Sequence, residues 1–150
     1  MAQSPKALVV VTHRLDEDFV KRIGDELVQV EVLFAVEADL ETVSYETCNN
    51  RVHDLREFRI LFFRGDKECP IERFWRNRMT AGNPQGEVRR LRQSRHRVEI
   101  ECRIERAKEI HDALASMLPD HREQLNANLQ LELHRLCNPR VYPFQLALHE

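Results

Sequence analysis

The sequence predicts an α/β (or α+β) protein: a small three- to four-stranded sheet with flanking helices, followed by a C-terminal helical hairpin. Three observations carry this. Residues 6–13 (KALVVVTH) form an unbroken β-branched run, the pattern of a strand buried on both faces. A helical stretch and a second apolar run follow, an order that suggests a crossover unit and a parallel sheet. Beyond residue 105, leucines recur at helical spacing on either side of Pro119.

The elements follow in order. After the first strand, the acidic cluster Asp16-Glu17-Asp18 stands where a helix N-terminus welcomes negative charge. Phe19, Val20, Ile23, Leu27 and Val28 supply the buried face of that helix. Residues 30–36 read as a second strand and 58–63 as a third, closed by Arg64-Gly65-Asp66. The intervening residues 39–57 read either as a helix, with Leu40, Val43, Val52 and Leu55 on one face, or as a further strand; the helix is preferred. Pro70 opens a helix through Met79, and residues 81–86 are a loop. Residues 98–104 alternate like a half-buried strand and equally fit the start of a long helix. A helix covers 106–118, Pro119 breaks it, and Asp120 is placed to cap a second helix with Leu125, Leu129, Leu133 and Leu136 buried. The organisation expected is one domain over 1–150. It comprises an α/β layer (6–79), an arginine-rich connector (80–105), the hairpin (106–137) and an apolar tail (138–150).

Composition narrows the function classes. With 150 residues, 42% hydrophobic and 32% charged, the chain can bury a core without metal or disulfide staples. The four cysteines, at positions 48, 69, 102 and 137, have no spacing typical of a zinc knuckle or redox motif. The N-terminus lacks the apolar stretch of a signal peptide, so the expected location is cytoplasmic and the thiols are expected to be reduced and mostly buried. No cofactor or metal is expected.

Net charge is only −2, yet charge is segregated. Between residues 15 and 46 acids dominate, with Lys21 and Arg22 the only basic residues. Between 73 and 97 stand Arg73, Arg76, Arg78, Arg89, Arg90, Arg92, Arg95 and Arg97 against one acid, Glu87. Guanidinium forks suit carboxylates and phosphates. The expectation is therefore a non-catalytic accessory protein that assembles with itself, as a homo-oligomer, or with an acidic macromolecular partner through these arginines. The alternative is nucleic-acid binding by the same residues, with Trp75 as a stacking platform.

Catalytic chemistry has a weaker foothold. Strand ends of an open α/β sheet carry ligands, and here they bear Thr12-His13-Arg14 and Arg64-Gly65-Asp66. A small enzyme would use His13 as acid or base, oriented by Asp66, with Arg14 and Arg64 as anion holders. His111, His121 and His134 read as polar surface residues rather than metal ligands.

Overall fold

The computed structural model describes residues 6–34, 45–64, 70–92 and 99–138. The chain forms two compact units, one built from residues 1–21 and 26–91, the other from 22–25 and 92–150. The α/β expectation holds.

The first unit is a four-stranded, fully parallel sheet in the order β2-β1-β3-β4. β1 (Ala7–His13) is the valine run, and its central residues are buried on both faces, as a parallel sheet covered by helices requires. α1 (Glu17–Gly24) follows a short 3-10 turn. A second 3-10 turn, opened by Asp25 in the left-handed region (φ 48°), leads to β2 (Val28–Phe34). β2 thus starts two residues earlier than expected: Leu27 and Val28 leave the helix because the chain reverses at Asp25. α2 (Tyr45–Asp54) confirms the helical alternative for that part of 39–57, while 39–44 lie outside the described residues. Arg51 of α2 ties the helix to the edge strand. Its Nε and Nη2 donate to the Val32 carbonyl and its Nη2 pairs with Glu31 at 2.8 Å, satisfying an edge carbonyl that no strand reaches.

β3 (Ile60–Phe63) lies beside β1, with Val9 opposite Ile60 and Val11 opposite Phe62. Alternate residues Val10, Leu33 and Leu61 face the other way. They form a core with Leu55, Phe58, Trp75 and Met79. α3 (Pro70–Gly82) runs one turn further than Met79, so the expected loop is shorter. The Asn83 side chain then bridges the turn, donating to the Phe58 carbonyl and accepting from the Gly86 amide. A side chain at Gly86 would not fit: a Cβ there would lie 2.5 Å from the Phe58 ring.

β4 (Glu87–Arg90) was not foreseen. It lies inside the segment expected to be a connector, pairing parallel with β3 from Ile60 opposite Glu87 to Phe63 opposite Arg90. Four residues with one aliphatic side chain give no alternation to read. Charge on an edge strand also discourages further pairing.

The second unit is the hairpin. α4 (Glu99–Met117) settles residues 99–104 as helix. A 3-10 turn at Pro119–His121 leads to α5 (Arg122–Leu136), whose N-cap is His121 without a side-chain bond, so Asp120 does not cap it. The buried stripe of α5 is Leu125, Leu129, Glu132 and Leu136; Leu133 is only half-buried. Glu132 is held by Arg135 at 2.6 Å and by Arg22 at 3.4 Å. Asn128 donates to the Ile23 carbonyl near the end of α1. His111 is buried, its ring nitrogens 3.0 Å from Asp112 and 2.6 Å from Asn126. It is therefore not the surface histidine expected. Cys102 is half-buried and Cys137 exposed, against the expectation of buried thiols. The tail at 138–150, apart from Asn138, lies outside the described residues.

Candidate functional site at the carboxyl ends of β1 and β3

The order β2-β1-β3-β4 has a topological consequence. The chain leaves β1 for β2 on one side and leaves β3 for β4 on the other, so the connections diverge between β1 and β3. Such a switch point opens a crevice at the carboxyl ends of the strands, where ligands of open α/β sheets bind. His13 ends β1, Arg64 follows β3, and the first turn of α3 carries Glu72.

These residues meet. His13 Nε2 lies 2.7 Å from Glu72 Oε2, and the Thr12 hydroxyl donates to the same oxygen at 2.9 Å. Glu72 is 1% exposed and Thr12 fully buried, whereas the His13 side chain keeps 26% of its surface open. His13 Nε2 has no hydrogen bond of acceptable geometry despite its closeness to Glu72. Glu72 gains from its place in the first helical turn, where the helix dipole favours a carboxylate. Beside them Arg64 grips Asp16 with both Nε (3.0 Å) and Nη2 (3.1 Å), and Asp16 is 2% exposed.

His13 is engaged by Glu72; the expected orienting group, Asp66, lies outside the described residues. Arg64 is committed to Asp16 rather than held ready for an anion, and Arg14 is exposed. Glu72 escaped notice because nothing in Pro70-Ile71-Glu72 marks a carboxylate as buried. The available signal was Thr12, a hydroxyl in an otherwise aliphatic strand that needs a buried partner.

The described members of the arginine segment are placed as follows. Trp75 is 5% exposed and belongs to the sheet core, so it offers no stacking platform. Arg76 lies over the Phe63 ring at 3.9 Å, and Arg78 donates to Asn49 and sits over the Phe74 and Trp75 rings. Arg89 pairs with Glu87 at 2.7 Å, and Arg90 donates to the Arg64 carbonyl. Arg73 is exposed on α3. Arg92 is exposed in the other unit, its backbone bonded to Glu109 and Arg106; Arg95 and Arg97 lie outside the described residues. Local carboxylates, carbonyls and rings occupy much of this charge.

No protein-family profile matches the chain, and no curated protein resembles it significantly in sequence. Solved structures do share its fold. A crystal structure of ZnuA is 22% identical, with a TM-score of 0.74 over 88% of this chain and 55% of that one. The metal-dependent lipoprotein YcdH from Bacillus subtilis is 14% identical, with a TM-score of 0.67 over 87% of this chain and 52% of its own. A Mn-bound periplasmic metal binding protein from candidatus liberibacter asiaticus is also 14% identical, with a TM-score of 0.67 over 87% and 53%. This chain therefore spans about half the length of these neighbours.

The comparison corrects the expected function, partners and location. Two of these neighbours are described as a metal-dependent lipoprotein and a periplasmic metal binding protein, which overturns the reading of a cytoplasmic accessory protein or homo-oligomer built on an acidic partner or nucleic acid. Among the described residues no three His, Cys, Asp or Glu side chains cluster as a metal site, and His111 is occupied by Asp112 and Asn126.

Proposed function

We propose that this chain is a metal-ion-binding lobe that takes up a divalent first-row cation as cargo outside the cytoplasm, at the carboxyl ends of β1 and β3. The observation that carries the reading is the His13–Glu72 pair, an imidazole nitrogen and a carboxylate oxygen 2.7 Å apart at the switch point. Nitrogen and oxygen donors of this kind suit zinc and manganese. A zinc-bound structure of a ZnuA deletion mutant and the Mn-bound periplasmic metal binding protein, which share the fold, support the same class of ligand.

The fit is partial and has a stated cost. Bonds of about 2.0–2.1 Å at a tetrahedral angle would hold nitrogen and oxygen about 3.3 Å apart, so the two side chains must separate by roughly half an ångström. His13 is open enough to turn. Two protein donors leave the other coordination positions to water or to donors beyond this pair, which makes it an open site rather than a closed structural one.

The test is calorimetric titration of zinc and of manganese into the metal-stripped full chain, alongside His13→Ala and Glu72→Gln. The wild-type chain is expected to bind one ion, more weakly as pH falls because protons compete for the imidazole. Each variant should lose at least tenfold in affinity. Wild-type protein that binds neither metal overturns the reading; variants that bind as well as wild type remove these two residues from it.

A further inference from the structure

We draw no further inference here: the strongest candidate, the outer face of α5 where Leu131 is 70% exposed in line with the exposed Ala127 and His134, carries nothing because nothing among the described residues shows what covers it.

Discussion

Among the described residues each unit of this protein buries one glutamate, and the two are treated differently. Glu132 in the helical hairpin is 2% exposed and answered by two guanidinium groups, with Arg135 making a two-pronged contact from one turn away. Glu72 in the sheet unit is 1% exposed, and its Oε2 is met by a neutral hydroxyl and by an imidazole at an angle that makes no hydrogen bond. A buried carboxylate bound by full positive charge is a structural joint. Glu72, met off-axis by an imidazole, is the carboxylate that the proposed metal-binding reading uses.

The same substitution applied to both sharpens that contrast. Glu132→Gln should cost about 2–3 kcal/mol in urea unfolding, because two charge-assisted partners lose their anion while Arg135 and Arg22 keep some access to water. Glu72→Gln should cost about 1 kcal/mol, since an amide oxygen still accepts from Thr12, while abolishing most metal affinity. If Glu72→Gln proves the more damaging to stability, Glu72 is the joint and the comparison breaks.

Gly86→Ala tests the other end of the sheet unit. Its Cβ would push on the Phe58 ring and on the Asn83 amide at 2.8 Å, at a cost of about 1–3 kcal/mol. Metal affinity should not change, because this turn precedes β4 and lies at the amino ends of the strands, opposite His13.

The smallest effect concerns Glu31. Its hydrogen bond from Arg51 holds its carboxyl below the usual carboxylate range. A depressed folded-state value contributes stability that is present above the unfolded carboxylate range and lost as pH falls through the lowered folded one. Because the pair is one-third exposed, the contribution should stay below about 1 kcal/mol. Arg51→Met should flatten that acid limb in a stability-versus-pH series; an unchanged limb would show that the pair contributes nothing there.

The order and type of the strongly patterned elements follow from the chain's residue pattern alone. The valine run of β1, the aromatic run of β3, the stripe of α4 beyond residue 105 and that of α5 each repeat at a spacing that one secondary structure buries best. That the ends of β1 and β3 come together was legible for the same reason, since adjacent parallel strands place their carboxyl ends on one edge. Tertiary structure decided the rest. β4 exists because Glu87–Arg90 finds the open edge of β3, a preference that four mostly charged residues do not announce. Trp75 became core and Glu72 became the partner of His13 because α3 packs its length against the sheet, and which side of a short helix faces inward is set by that packing. Charge along the chain likewise misled. Arginines close in sequence are dispersed by the fold onto rings, carbonyls and carboxylates, because a guanidinium is stabilised by its neighbours in space and not by those in sequence.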